Sequence, residues 1–416
     1  MRGFARSPAP IWLSVCLIVK NEEQRLGQCL ESIRSLADEI IVVDTGSSDR
    51  TISIAKKYRS RIFKFEWCDD FSQVRNYAIA QAKGKWILVI DADEVLEPKA
   101  IATLRKVMQQ EDCLAANLLR SEIGAKQAPY SLVLRLFRND PAIAFRGIYH
   151  ESIDSSVTIL KSIEPHWQII NVETLVLQHY GYIQVNLDRK YEFAKRLMHK
   201  HLESFPKDTY MLNKLGAFYI SDQSISDQSS SDPDNINFGI GLLEKGLALI
   251  DVADSQNLTR CELYYHLGIA YERNHQLELA KNAYQSAIAL DVPEIVKLSA
   301  YFNLGHIYQQ DNQQEAIALL GSAIKIAPDF AQAHFSLGLA LKTSGNFVDA
   351  IAAYRQAIAI TPDYAEAHQN LGVVLIKVGF FQEAISSFEL AIALHEQQNN
   401  FEIAETLRLV LQEIQD

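Results

Sequence analysis

The sequence predicts an α/β domain, a mostly parallel sheet between helices, followed by an all-α solenoid of helical repeats. Three observations carry that prediction. The first 180 residues alternate short β-branched apolar runs with helix-spaced stretches, the pattern of βαβ units whose sheet is covered on both faces. From about residue 187 the strand-like runs stop and a motif recurs, 34 positions apart from Gly338 to Gly372, which is the period of a helix–turn–helix repeat. The charge divides near the same place. Residues 1–200 hold 28 Lys and Arg against 24 Asp and Glu, while residues 201–416 hold 12 against 27, so a net +4 half precedes a net −15 half.

A chain of 416 residues is long enough for two or three domains with real cores. The acidic half lacks the basic face that nucleic acid or anionic lipid requires. Cys16, Cys29, Cys68, Cys113 and Cys261 form no C-x-x-C pair, so they read as reduced core thiols of a cytoplasmic protein. Arg2 and Arg6 precede the apolar run Ile11–Val19, which imitates a signal peptide but ends at Lys20-Asn21-Glu22-Glu23 without a cleavage site. The run is far too short to span a bilayer. It is expected to be a buried first strand, with any membrane contact peripheral, at the inner membrane.

The elements follow in order. Residues 1–10 are expected to be flexible and 11–186 to form the α/β domain. Strand IWLSVCLIV precedes a helix over Glu22–Leu36, then strand Glu39–Asp44, a helix over Thr51–Tyr58, strand RIFKFEW, a helix around Asp70–Lys83 and strand Lys85–Asp93. Trp67 and Trp86 stand within apolar runs and read as core. Repeated βαβ units place ligands at the carboxyl ends of the strands.

The repeats align as Leu267-Gly268…Tyr284, Leu304-Gly305…Ala316, Leu337-Gly338…Tyr354 and Leu371-Gly372…Phe388, matching the tetratricopeptide unit. The solenoid is expected over 187–400. Its degenerate first unit has Pro206 ending one helix and Leu215-Gly216…Tyr219 in the next. The Ser/Asp-rich insert at 221–235 has a mobile composition. Residues 401–416 read as a capping helix. Such an extended concave surface suits a peptide or protein segment, or self-association.

Asp91-Ala92-Asp93 closes the most apolar strand. Side chains two apart on a strand point the same way, so both carboxylates are expected to face one ligand, of a kind suited to Mg²⁺ or Mn²⁺. No G-x-S-x-G elbow, Walker A loop or G-x-G-x-x-G is present, so neither a serine nucleophile nor a glycine-cradled phosphate is indicated.

Three blocks, LSVCLIVKNEE, EIIVVDTGSSDRT and FEWCDDFSQVRNYAIAQAKGKWILVIDADEVL, cover Leu13–Leu96. Their order and spacing resemble the inverting glycosyltransferases of family 2, which have the GT-A fold. The similarity is to the bacterial subgroup fused to tetratricopeptide repeats, which includes enzymes acting on peptides and on envelope glycans. The resemblance implies a metal-dependent transferase using a nucleoside-diphosphate sugar, a UDP-sugar. It places Lys20, Asn21 and Glu22 beside the nucleoside and Asp44 on the uracil or ribose. Arg75, followed by Asn76, would face the phosphates, Asp91 the ribose or a metal-bound water, and Asp93 the metal. His179 is a candidate third ligand.

Downstream, Arg135-Leu136-Phe137-Arg138 leads to Tyr149-His150-Glu151, which resembles the subgroup's acceptor-side segment. In-line displacement needs a general base. Glu151 is the first choice and His150 the second. The acceptor is a peptide, protein or envelope glycan. The rival reading is a repeat scaffold carrying an inactive transferase domain.

Overall fold

The computed structural model describes residues 11–124, 129–181, 187–220, 233–250 and 257–415. The expected flexible segment 1–10 and most of the insert at 221–235 lie outside the described residues. The chain divides into two compact units, 1–231 and 232–416.

Unit one begins with β1 (Leu13–Val19), α1 (Leu26–Ile33), β2 (Glu39–Asp44), α2 (Thr51–Lys57) and β3 (Arg61–Lys64). Next come α3 (Phe71–Ile79), β4 (Trp86–Val89), β5 (Glu94–Leu96), α4 (Ala100–Gln109), β6 (Cys113–Glu122) and β7 (Tyr130–Arg138). The sheet portion closes with α5 (Asp154–Ile163) and β8 (Gln168–His179). Asp70 caps α3, its side chain accepting from Gln73 N, which removes one unpaired donor from the helix start.

One sheet forms in the order β3-β2-β1-β4-β7-β6-β8-β5. β3, β2, β1 and β4 are parallel, β7 runs against β4, and β8 lies parallel to β6 and antiparallel to β5. The period-two rule of strands decides the layering. Leu13, Val15, Leu17 and Val19 pack on one face with Leu26, Leu30 and Ile33 of α1 and Leu104 of α4. Cys16, Ile41, Val43, Ile87 and Val89 pack on the other with Val74 and Ala78 of α3 and Val157 of α5. Trp86 is fully buried and Trp67 partly so. All five cysteines are free thiols; Cys68, against expectation, is exposed because it lies outside any element.

Strands give way to helices after residue 179. α6 (Leu187–Ser204) and α7 (Thr209–Ile220) fall within unit one. There Phe193 lies near Trp67, and Phe218 contacts the rings of Tyr149 and His150.

Unit two is helical throughout its described residues. It comprises α8 (Pro233–Leu249), α9 (Asn257–Arg273), α10 (Leu277–Ile288), α11 (Glu294–Tyr308) and α12 (Gln313–Ile326), then α13 (Ala331–Thr343), α14 (Phe347–Ile360), α15 (Ala365–Lys377), α16 (Phe381–Gln397) and α17 (Phe401–Gln415). The repeat motif has a direct steric cause. A Cβ on Gly338 would lie 2.6 Å from the Tyr354 ring, and one on Gly268 would lie 2.4 Å from Tyr284. The glycine therefore admits the buried aromatic of its own repeat's second helix. Ala404 and Leu407 of α17 join the core of the last repeats, which covers the end of the stack.

Gly338→Ala is expected to destabilise α13 and α14 by about 1–3 kcal/mol through overpacking. Gly321→Ala in α12, where a Cβ meets nothing within 4 Å, is expected to add about 0.5–1 kcal/mol from helix propensity. Hydrogen exchange of the two helix pairs reads both changes. Equal protection in the two variants would contradict the steric account.

Candidate functional site

The parallel strands β1, β2 and β4 end on one edge of the sheet, with Val19 paired to Asp44 and Cys16 to Val89. The strand order turns at β1, so the crevice beyond these ends is the ligand position that topology favours. The loop after β1 is laced to the loop after β2. Asn21 adopts φ 57°, a left-handed conformation that asparagine tolerates; its N–H donates to Ser47 Oγ at 2.9 Å and its Oδ1 accepts from Ser48 N at 2.8 Å. Glu22 N donates to Thr51 Oγ1 at 2.7 Å. Lys20 is exposed. Asp44 is buried, with Oδ1 accepting from Ser47 N at 3.0 Å.

Arg75 is the centre of the site. It lies on α3, 4% exposed, and reaches two carboxylates from distant parts of the chain. One guanidinium N–H donates to Asp91 Oδ1, and Nε donates to Glu151 Oε1 at 2.9 Å. Arg135, on β7, donates to the second oxygen of Asp91 at 3.1 Å. Burial would push the Asp91 carboxyl up, but Arg75 and Arg135 hold it well below the ordinary carboxylate range. Burial alone would lower the Arg75 pKa, and Asp91 and Glu151 together raise it instead. Nη1 of Arg75 and of Arg135 are buried without a hydrogen-bond partner among the described residues.

The loop that carries Glu151 is built around this contact. Asn76, beside Arg75, donates to Phe145 O at 2.9 Å and accepts from Phe145 N at 2.8 Å. Arg146 and Ser152 pair as an antiparallel bridge, with Gly147 at φ 99° and His150 at φ 54° inside it. Phe71 N donates to Ile148 O at 2.9 Å. Burial and the nearby Glu151 raise the Tyr149 hydroxyl to about 12.

Asp91 and Asp93 do not share a face as their spacing suggested. β4 ends at Val89, and the motif lies in the turn before β5. Asp91 N donates to Glu94 Oε2 at 2.9 Å and Glu94 N to Asp91 O at 3.0 Å, a turn in which the two carboxylates take different partners. Asp93 Oδ2 lies 3.6 Å from His179 Nε2 and 3.7 Å from Arg25 Nη1. His179 ends β8, where it is register partner to Glu94 on one side and Glu122 on the other. Its Nδ1 lies 2.6 Å from Glu122 Oε2. Arg120 bridges Glu94 at 2.8 Å and Glu122 at 2.8 Å. Burial would lower the His179 pKa, but the nearby Asp93 carboxylate and the Glu122 contact raise it to about 9. Among the described residues no three His, Cys, Asp or Glu side chains gather to hold a metal.

The structure thus brings together Arg75, Asp91 and Glu151 in one cluster and Asp93 with His179 in another. Lys20, Asn21, Glu22 and Asp44 border the β1 and β2 ends. Arg75 was expected toward phosphates and is instead enclosed by carboxylates. Sequence reasoning gave no role to Arg25, Arg120 or Glu122. Arg120 and Glu122 share one face of β6, a period-two signal of a paired charge, but their partners come from β5 and β8.

The sequence profile described as "Glycosyl transferase family 2" matches residues 14–171. Tetratricopeptide repeat profiles match residues 262–291, 308–345 and 340–379. A TPR repeat-containing protein of Synechococcus elongatus is 38% identical over 303 residues, 72% of each chain. The prophage-derived glycosyltransferase SunS of Bacillus subtilis is 33% identical over 156 residues, 36% of each chain. A solved structure of MamA shares 22% identity, covering 45% of this chain and 92% of that one, with a TM-score of 0.35.

In the metal-free protein His179 is expected to titrate near 9, and Glu122→Gln to lower that value, by NMR of the imidazole resonances. A raised folded pKa means that the His179 contribution to stability is complete below about 6.5 and is lost as pH rises through about 9. An unchanged titration in Glu122→Gln would contradict the assigned partnership.

Proposed function

The chain belongs to glycosyl transferase family 2 in the form fused to tetratricopeptide repeats, and from that membership we propose that it transfers a sugar from a UDP-sugar to an acceptor with inversion at the anomeric carbon. The observation that carries this reading is the bridge from Asp91 through Arg75 to Glu151. It ties the motif after β4 to a carboxylate on the acceptor-side loop, which supports a base held close to the ends of the parallel strands.

In this reading Glu151 is the base. Its Oε1 is held by Arg75 Nε, which fixes the carboxylate's direction. Its Oε2 takes no hydrogen bond among the described residues and can receive the acceptor's proton. As that proton leaves, the acceptor forms its bond to the anomeric carbon, the bond to the diphosphate oxygen breaks, and UDP departs. His150 stands next in the chain as the second candidate. Asp44 and the loop Lys20–Glu22 border the space for the nucleoside.

The donor set also fits a divalent cation in part. A carboxylate oxygen and an imidazole nitrogen suit Mn²⁺ or Mg²⁺, and Asp93 and His179 would hold it, leaving positions for phosphate oxygens. The ion supplies positive charge against the charge developing on the leaving diphosphate. His179 would have to be neutral to hold it. Asp91, taken up by two arginines, supports the frame instead.

The repeats support recognition of a peptide or protein acceptor, or of a partner that brings a glycan acceptor; self-association is the other use of such a surface. Among the described residues no helix is long and apolar enough to cross a membrane. The rival reading is a scaffold with an inactive transferase domain; among the described residues no three His, Cys, Asp or Glu side chains gather.

Turnover of a panel of UDP-sugars tests the proposal. Glu151→Gln is expected to lower transfer or hydrolysis about 10²–10⁴-fold with UDP affinity nearly unchanged. Asp93→Ala is expected to lower both turnover and Mn²⁺-dependent UDP binding. Near-wild-type turnover by Glu151→Gln removes it from the base role, and wild-type protein that binds no UDP with Mn²⁺ selects the scaffold.

A further inference from the structure

We infer that Arg25 is a phosphate-binding residue of the donor site, reaching the diphosphate from the side of α1. The inference rests on the transferase reading and adds a cation that the sequence motifs do not mark.

Four observations carry it. Arg25 immediately precedes α1, and its Nη1 is buried without a hydrogen-bond partner among the described residues. A buried donor left without an acceptor is costly, so the position calls for one. The charged neighbour that the structure provides, Asp93 Oδ2, stands 3.7 Å from it, near enough for an ion pair but beyond hydrogen-bond reach. Arg25 and Asp93 line the same cavity, with Gln28, Ala92, Val95 and Tyr180 completing its wall.

The size and chemistry of that cavity narrow the ligand. Its volume is about 120 Å³, well below the roughly 300 Å³ of a pocket that encloses a whole ligand. It accepts one phosphate-sized group rather than a sugar ring or a base. Arg25 is the one cation on its wall, and a guanidinium binds phosphate through two parallel N–H donors. The chain has no glycine-cradled phosphate loop, so a metal ion and side-chain cations are left to neutralise the diphosphate. Lys20 is exposed, and Arg75 is already bound by two carboxylates. Arg75 and Arg135 each keep an unpartnered Nη1 too, but both are tied to Asp91; among the described residues Arg25 is the unpartnered guanidinium beside Asp93.

The test is calorimetric titration of the full chain with UDP and with uridine, each in Mn²⁺ and in chelator. Arg25→Gln is expected to weaken UDP binding about tenfold or more and to leave uridine binding within twofold. Arg25→Lys is expected to fall between, because it keeps the charge but loses the paired donors. Equal UDP affinity in wild type and Arg25→Gln overturns the inference while the transferase reading stands. An Arg25→Gln variant that binds Mn²⁺ more tightly with UDP affinity unchanged also overturns it, making Arg25 only a counter-ion for Asp93. If wild-type protein binds neither UDP nor uridine, the donor reading fails and the inference with it.

Discussion

A single buried guanidinium organises the catalytic unit. Arg75 is almost removed from water, and a charge in that position is stable only when it is paired and hydrogen-bonded. Its two partners come from separate parts of the sequence: Asp91 from the end of the most buried parallel strand, Glu151 from a loop sixty residues later. Neither segment can shift without leaving a buried charge uncompensated, a loss of about 3–5 kcal/mol. The loop is therefore held to the sheet by electrostatics and by the two Asn76 bonds to Phe145, more than by its own irregular backbone.

The same constraint separates the work of the two aspartates. Asp91 is committed to Arg75 and Arg135, so it belongs to the frame. Asp93 is turned toward the cavity wall, where Arg25 and His179 stand near its carboxylate. The buried chain from Glu94 through Arg120 and Glu122 fixes the His179 ring. Asp91 follows the parallel strand β4, Arg135 stands on the antiparallel β7, and His179 ends β8. The turn over Asp91–Asp93 joins the two clusters.

Much of this was legible in the sequence, and for definite reasons. β2 was bounded at its true ends because EIIVVD is a short β-branched run between polar turns. The Gly338–Tyr354 and Gly268–Tyr284 pairs were visible because sterics repeat them at a fixed period. The D-x-D geometry was misjudged because the apolar run Lys85–Asp93 gives no sign that Glu94 folds back to cap Asp91. Arg75 was recognised as important but its partners Asp91 and Glu151 were not foreseen, since a charge on one helix does not say which distant carboxylates will close over it. The charge asymmetry kept its meaning: the balanced half holds paired arginines and carboxylates, and the acidic half is largely repeats, whose partners are then expected to be neutral or basic and salt-sensitive.

If Arg75 acts by holding Glu151, the two side chains behave as one unit. A double-mutant cycle on single-turnover UDP-sugar cleavage, using Arg75→Gln and Glu151→Gln, measures that directly. The account predicts that the double variant is no slower than the worse single variant. Losses that multiply, each substitution costing its full factor in the presence of the other, would contradict it.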